Sequence, residues 1–386
     1  MTKNYELKTL GSVATYINGR AFKPSEWEST GLPIVRIQNL TDKNAKCHYS
    51  SAAYEEKYKI HNGDLLFAWS ASLGAHIWIQ NDAWLNQHIF KVIPNDNIDK
   101  LYLYYYLQKV IAELYLKTHG SGMVHITKGP FMNTPIPVPS YTEQSRIAAH
   151  IEELFSELDK VVGTLKTTKE QLEVYRQAVS VDAFRVATNS THLKIGYVCA
   201  KIVDCPHSTP KWEKNGKLCL RTTNFKRGYL DLQSPNYVSE ETFHDRNRRI
   251  IPQPGDVLYS REGSVLGIAC TIPSNVYPCL GQRMMLLRSG EKLNNRYLMH
   301  YLNSPMVTNH VIATKGGTGS PHINVGDIKE FQIPIPSLEE QSNIVRQIEE
   351  QLSSCDNVEK TVDAILAQAD AMRQSILKQA FKEGSV

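Results

Sequence analysis

The residues of this chain best equipped for chemistry are arginines and side-chain amides, and they come in matched sets. Arg36 follows the apolar run PIV and precedes Asn39 by three; Arg221 follows LCL and precedes Asn224 by three. Gln87 has a counterpart in Gln282. A guanidinium fork fits phosphate oxygens or the edge of guanine, and a carboxamide offers the paired donor and acceptor that adenine requires. This is the chemistry of recognition rather than of bond making. For Arg36 and Arg221 an ion pair inside the fold competes with an outside contact. The run RNRR, Arg246 to Arg249, reads as phosphate-facing through Arg248 and Arg249, with a solvated loop as the alternative. Tyr102, Tyr104, Tyr105 and Tyr106 suit either a stacking platform or a helix packed on a core.

Bond-making motifs are absent from the sequence. No G-x-x-x-x-G-K-[ST] run exists, so Gly316, Gly317 and Gly319 read as a tight turn near a backbone or phosphate. There is no Asn/Asp-Pro-Pro-Tyr run, no HExxH and no G-x-S-x-G. The thirteen histidines show no ligand spacing, and Glu152-Glu153 and Glu349-Glu350 fall on solvent faces of a helical pattern. Seven cysteines form no C-x-x-C pair, which predicts reduced, mostly buried thiols, with a zinc site as the alternative.

The elements that must position the recognition residues are written twice. PVPSYTEQSRIAAHIEE from Pro137 returns as PIPSLEEQSNIVRQIEE from Pro334, and Arg176-Gln177 and Ala183-Phe184 return as Arg373-Gln374 and Ala380-Phe381, all 197 residues later. Ile147, Ile151, Leu154, Leu158, Val161, Leu165, Thr168, Leu172, Tyr175 and Val179 step by fours and threes, the seam of a coiled coil. Ile344, Ile348, Gln351, Cys355, Val358, Val362, Ile365, Ala369, Met372 and Ile376 repeat the frame more weakly. Ser140 with Glu143, and Ser337 with Glu340, predict capping boxes. A complete module between the helices, roughly Thr191 to Ile335, makes their packing antiparallel. Each helix then spans about 60 Å at 1.5 Å per residue.

The modules align loosely. Gly63-Asp64-Leu65-Leu66-Phe67 matches Gly255-Asp256-Val257-Leu258-Tyr259, and Tyr102-Leu103 matches Tyr297-Leu298. They differ at Gln87-His88 against Gln282-Arg283, at Trp69-Ser70 against Arg261-Glu262, and at GSGMV (with Ser121) against GTGSP (with Thr318). The predicted fold is mixed α/β: two pseudo-two-fold-related globular modules separated by a long antiparallel two-helix coiled coil. The predicted divisions are 1–140, 141–186, 187–337 and 338–386.

Composition sets the bounds. With 41% hydrophobic and 21% charged residues, 386 residues suffice for two or three domains with proper cores. The uncharged runs Leu65 to Asn81 and Gly263 to Gln282 are interrupted by Ser, Gly, Gln, Asn or Pro and predict buried strands rather than membrane spans. The start MTKNYELKTLGS lacks a signal-peptide layout, so a cytoplasmic location is expected. Net charge is +4. The stretch Glu143 to Phe184 carries eight acids and five bases, and Glu340 to Phe381 seven and four, leaving the surplus of positive charge on the modules. Cationic modules on anionic helices suit a polyanion partner for the former and another partner for the latter, although exposed helices are also simply rich in Glu.

The doubled module-plus-helix plan, the PVPS and IPIPS leads into Glu143-Gln144-x-x-Ile147 and Glu340-Gln341-x-x-Ile344, and the RQAV and RQSI endings resemble the specificity subunit of type I restriction-modification systems. The resemblance implies a non-catalytic chain whose two target recognition domains each read half of an asymmetric bipartite sequence in double-stranded DNA. It implies that Arg36, Asn39, Trp69, Gln87, His88, Ser121, Arg221, Asn224, Arg248, Arg249, Arg261, Gln282, Arg283 and Thr318 are the DNA-contacting candidates. The coil becomes a spacer ruler and a dock, through Glu143, Gln144, Glu340 and Gln341, for two modification subunits. Those subunits would bring S-adenosylmethionine and methylate adenine; restriction (translocase) subunits would be further partners. The chain itself would hold no cofactor and no metal. A self-sufficient DNA methyltransferase or nuclease, and a coiled-coil scaffold without a nucleic-acid role, are the competing readings.

Overall fold

Uncharged runs punctuated by Gly-Asp turns become short buried strands. The computed structural model describes residues 5–42, 44–70, 72–117, 128–263, 265–314 and 321–382. They divide into two compact units, Met1–Leu165 with Asp363–Val386, and Lys166–Val362. Each unit holds one module and half of each long helix.

In the first unit a four-stranded antiparallel sheet runs in the order Ala14–Asn18, Ile89–Pro94, Leu65–Ala68, Gly74–Ile77. A smaller sheet runs His48–Ser50, Leu32–Val35, Ala83–Leu85, Lys59–Ile60, its middle pair parallel. The second unit repeats the first order with Cys199–Asp204, Met284–Ser289, Val257–Ser260 and Ala269–Thr271. Its smaller sheet runs Tyr237–Val238, Lys217–Leu220, Cys279–Leu280, again with a parallel pair. The Gly-Asp turn is the same device twice. Gly63 and Gly255 hold φ of 89° and 88°, where a side chain would be strained, while Asp64 and Asp256 accept from the backbone N–H of His61 and Gln253, each at 2.8 Å.

The modules diverge in their helices. Lys100–Lys117 is continuous in the first unit, whereas the second has Asn295–Asn303 and then Pro305–Thr314. Pro305 explains the break, since it has no N–H to continue one helix and a φ suited to starting the next. Among the described residues only the second unit has the helix Glu240–Arg246 and the hairpin of Phe225–Lys226 with Tyr229–Leu230.

The central helix, Tyr141–Arg185, and the C-terminal helix, Leu338–Lys382, are each 45 residues long. Each follows a proline-rich edge strand, Pro135–Val138 paired with Glu6–Thr9 and Gln332–Pro334 paired with His192–Lys194. Glu340 completes its capping box, accepting from the Ser337 N–H at 2.9 Å and donating its own N–H to Ser337 Oγ at 3.3 Å. Glu143 makes only half of one. Its N–H reaches Ser140 Oγ at 3.4 Å, but its carboxylate turns to Arg146 and Tyr5.

Within each unit the helix halves pack antiparallel and the contacts are reciprocal. Arg176 reaches Asp356 at 2.6 Å in the second unit, and Arg373 pairs with Asp159 in the first; the partners exchange helices under the 197-residue shift. That exchange is what the 197-residue repeat of the helices leads one to expect. The ends dock on tyrosines in the same way. Phe184 packs edge-on against Tyr297 and Tyr301, both at 5.2 Å, and Phe381 against Tyr102 and Tyr106 at 5.3 and 5.0 Å. Burying a Phe side chain fully stabilises by roughly 1.5–3 kcal/mol, and Phe184 is fully buried. The four tyrosines are therefore core. Tyr102 and Tyr297 also donate to the carbonyls of Pro137 and Pro334 at 2.7 and 2.9 Å, and of the two readings of Tyr102, Tyr104, Tyr105 and Tyr106 the structure takes the helix packed on a core.

The seam also differs from the expected one at a quarter of its positions. Ile147, Ile151, Val179, Ile344, Ile348, Cys355, Val362 and Ala369 are buried, but Val161, Tyr175, Val358, Ile365 and Met372 are exposed. Positions one residue later, including Arg176, Glu359 and Arg373, turn inward and meet across the interface as ion pairs. The long aliphatic stems of these side chains cover the seam while their charges stay in water. Among the described residues no helix is long and apolar enough to cross a membrane.

Candidate nucleic-acid interface

The turn before the second strand of each large sheet brings Gln87 and His88 beside Trp69 in the first module, and Gln282 and Arg283 beside Arg261 in the second. In the first module the strand Leu65–Ala68 ends at Trp69, whose N–H donates to the carbonyl of His88 at 3.3 Å. The indole N–H reaches Asn18 Oδ1 at 3.3 Å, and the Trp69 and His88 rings lie 5.6 Å apart. Ser70 Oγ is 3.5 Å from His88 Nδ1. Beside them Gln87 is half-buried, and its Oε1 has no hydrogen-bond partner among the described residues. The turn is braced by the Asn86 N–H on the Val35 carbonyl at 3.1 Å.

The equivalent backbone bond in the second module runs from the Arg261 N–H to the Arg283 carbonyl at 3.0 Å, which places Arg261 where Trp69 stands and Arg283 where His88 stands. The side chains, however, do other work. Arg261 is buried and forks onto Asp204 at 2.8 and 3.0 Å, with His207 on the same carboxylate at 3.1 Å. It is an internal brace, so its expected role as a DNA contact is corrected. Gln282 donates to the His207 carbonyl and accepts from Thr209, which occupies the amide expected to read a base. Arg283 is exposed, holds a left-handed φ of 66°, and its Nε lies 3.8 Å from Glu262.

Asn39 and Asn224 are not exposed readers either. Their Oδ1 atoms accept from the N–H of Arg36 and Arg221 at 3.0 and 2.8 Å, and their amides donate to Ala45 and Asp231 carbonyls. They cap the short helices that follow the strands. The arginines themselves stand over indoles, Arg36 at 5.8 Å from Trp27 and Arg221 at 5.3 Å from Trp212. Among the described residues no carboxylate pairs with either, so the internal ion pair is not the role they adopt. Trp27 stacks on His48 at 4.0 Å, where burial together with Lys46 and Arg36 holds the imidazole below its ordinary pKa.

Trp27 and Trp212 were not among the sequence candidates, yet a signal existed. Each lies nine residues before its arginine, and Trp27, Arg36 and Asn39 map on Trp212, Arg221 and Asn224 with one offset. Asn18, Asp204 and His207 carried no comparable signal.

In the RNRR run Arg246 is buried and donates to the carbonyls of Leu280, Ser208, Pro206 and Gly281. Arg248 and Arg249 are exposed; Arg248 pairs with Asp245 at 2.9 Å, and no carboxylate among the described residues pairs with Arg249. Ser121 and Thr318 lie outside the described residues.

The glutamines of the helix-start motif face inward. Gln144 and Gln341 are fully buried. Their Oε1 atoms accept from the Asp99 and Asn294 N–H groups at 2.9 and 2.8 Å, and their amides donate to Pro139 and Pro336 carbonyls at 2.9 Å. They tie each long helix to its module, which corrects their assignment to a surface between subunits. Glu143 and Glu340 remain at the surface of the helix starts. The cysteines form no disulfide, and burial pushes Cys199 up to about 12. Among the described residues no group of three His, Cys, Asp or Glu side chains is placed to hold a metal.

Fold and site together define a two-module recognition protein, with duplicated frames carrying different polar tips. The family described as type I restriction modification DNA specificity domain matches residues 2–173 and 203–366. The chain is 24% identical to the type I restriction enzyme EcoBI specificity subunit of Escherichia coli, over 97% of this chain and 85% of that one. It is 23% identical to the MjaVIII specificity subunit of Methanocaldococcus jannaschii, over 92% and 87%. Its fold resembles a chain from a structure on complex assembly and conformational transition of the type I R-M system, with TM-score 0.72, 22% identity and coverage of 99% and 98%. It also resembles the HsdS subunit from Thermoanaerobacter tengcongensis, with TM-score 0.55, 22% identity and coverage of 100% and 98%. The chain belongs to the specificity subunits of type I restriction-modification systems, the non-catalytic DNA-recognition components of those complexes.

Proposed function

We propose that each module reads one half of an asymmetric bipartite duplex sequence, and that the two long helices set the spacing between the halves. One observation carries this reading: one backbone frame is built twice, and its tip holds Trp69 and His88 in one copy but Arg261 and Arg283 in the other. Identical frames with different tips suit one duplex read at two different sequences. The cationic surplus of the modules supports attraction to phosphate.

The helices serve in addition as a dock for two modification subunits. Val161 and Met372 are exposed in the first unit, and Val358 and Tyr175, their partners under the 197-residue shift, in the second. Equivalent exposed apolar positions, offered once in each unit, suit two copies of one partner. Those subunits supply S-adenosylmethionine and the methyl transfer to adenine, and restriction subunits join the same complex in the cytoplasm.

Replacing Thr191 to Ile335 by the corresponding module of a relative, and sequencing methylated sites from the assembled complex, tests the modular claim. Only one half of the methylated motif changes; a change in both halves, or in neither, removes the claim. Matched seven-residue insertions after Leu165 and Val362 test the ruler. About 10 Å is added, equivalent to roughly 3 base pairs of rise, so the half-sites stay and the spacer grows. An active variant that keeps the original spacing leaves the helices as a dock only.

A further inference from the structure

Two features flank the tip of each module, and they differ in kind. One is preserved between the copies. Trp27, Arg36 and Asn39 recur as Trp212, Arg221 and Asn224 with identical spacing, the Asn capping the Arg N–H and the Trp ring lying beside the guanidinium in both. The other is rebuilt. Trp69 and His88 occupy the positions of Arg261 and Arg283, and Ser70 that of Glu262.

The two features are neighbours in each module. The residue before Arg36, Val35, accepts from Asn86, at the start of the turn that carries His88. In the second module Gly281 lies so close to Leu220, the residue before Arg221, that an added Cβ would sit 2.1 Å from the Leu220 carbonyl oxygen; Gln282 and Arg283 follow directly.

The two halves of an asymmetric target differ in their bases and share their sugar–phosphate chain. A duplicated reader must therefore keep whatever grips the backbone and vary whatever reads the bases. We infer that the Trp27–Arg36 and Trp212–Arg221 pairs are the phosphate-positioning contacts of the two modules, and that discrimination falls to His88 with Trp69 in one and to Arg283 in the other. This rests on the bipartite reading given above. A guanidinium lying against an indole loses rotamer freedom yet keeps its outer N–H edge for an anion. With no carboxylate on Arg36 or Arg221 among the described residues, that edge carries an unneutralised charge.

The test uses the chain assembled with its modification subunits, binding measured against duplexes over a range of salt, and methylated sites sequenced. Arg36→Gln and Arg221→Gln each weaken binding to every duplex by a common factor and make the log–log salt slope shallower by about 0.9, while the methylated motif is unchanged. Arg36→Lys and Arg221→Lys restore the slope, which a purely structural arginine would not. His88→Ala and Arg283→Ala relax one position in one half-site each, with discrimination falling by about 5- to 150-fold. Loss of a single specified base on Arg36→Gln or Arg221→Gln overturns the assignment and makes these residues base readers. An unchanged salt slope overturns it as well. A wild-type complex that methylates no bipartite motif overturns the functional reading itself, whereas an altered motif in the Gln variants alone overturns only the division of labour.

Discussion

Where the strand after the Gly-Asp turn ends, the first module carries Trp69 and the second Arg261, and the two tips follow from that exchange. An indole packs beside His88 and needs one hydrogen bond, which Asn18 accepts. A buried guanidinium needs a carboxylate, and Asp204 stands there with His207 on its other side. One tip is aromatic and half-buried; the other holds the Arg261–Asp204–His207 ion network, with the exposed Arg283 beside Glu262. Beneath them, sheet order, Gly-Asp turn, glutamine tie and phenylalanine dock are the same. The comparison teaches that a recognition protein holds its frame with residues that resemble each other between copies and places discrimination where substitution leaves the frame intact.

The largest effect that tests this separation comes from the frame. Phe184→Ala empties a fully buried aromatic site, at a cost of about 3–5 kcal/mol, and Phe381→Ala, at a half-buried one, costs less. Hydrogen exchange reads the effect locally. Phe184→Ala lowers protection in Asn295–Asn303 and leaves Lys100–Val110 protected, and Phe381→Ala does the reverse. Equal loss in both helices from either variant would break the idea of independently held units.

These docking residues were partly legible in advance. The repeated Ala-Phe near each helix end showed that something was preserved, and the helix starts and ends fall within a few residues of the expected ones. What periodicity could not show was the inward turn of Arg176, Glu359 and Arg373, because a four-three pattern of apolar residues says nothing of charged side chains that cover a seam with their stems. The Arg-x-x-Asn motif was visible, but sequence alone does not distinguish an amide that reads a base from one that caps a backbone. Gln144 and Gln341 were misplaced for the same reason. The correspondence of Trp69 with Arg261 and of His88 with Arg283 was legible from the alignment of the modules, whereas the bracing role of Arg261 was not, because its partner, Asp204, lies 57 residues away in sequence.

A middle-sized effect sharpens the tip comparison itself. Arg261→Ala leaves Asp204 in a mostly buried place with only His207 to answer it, and removing one partner of such a pair costs about 3 kcal/mol. Trp69→Ala, at the equivalent position, empties a half-exposed site and costs about 2 kcal/mol. Denaturant unfolding, with hydrogen exchange in the strands Val257–Ser260 and Leu65–Ala68, separates the two. If Arg261→Ala were neutral, the second tip would not depend on its ion network.

The smallest effect addresses the helices, where the copies come closest to being equal. Arg176 bonds Asp356 at 2.6 Å and Glu359 at 2.8 Å, while Arg373 pairs with Asp159 and stands 5.0 Å from the Phe155 ring. The carboxylates of Asp356 and Asp159 are more than half exposed, so water and salt screen both pairs. Each is therefore worth less than about 1 kcal/mol. Arg176→Ala alone should cost more than Arg373→Ala, because Arg176 also bonds a second carboxylate, Glu359, at 2.8 Å. Double-mutant cycles of Arg176→Ala with Asp356→Ala, and of Arg373→Ala with Asp159→Ala, measure the two couplings separately. Both should shrink in 1 M salt, where the screening length is about 3 Å. A coupling near zero at Arg373, with Arg373→Ala alone still destabilising in high salt, would mean that stacking on Phe155 rather than charge joins the helices there.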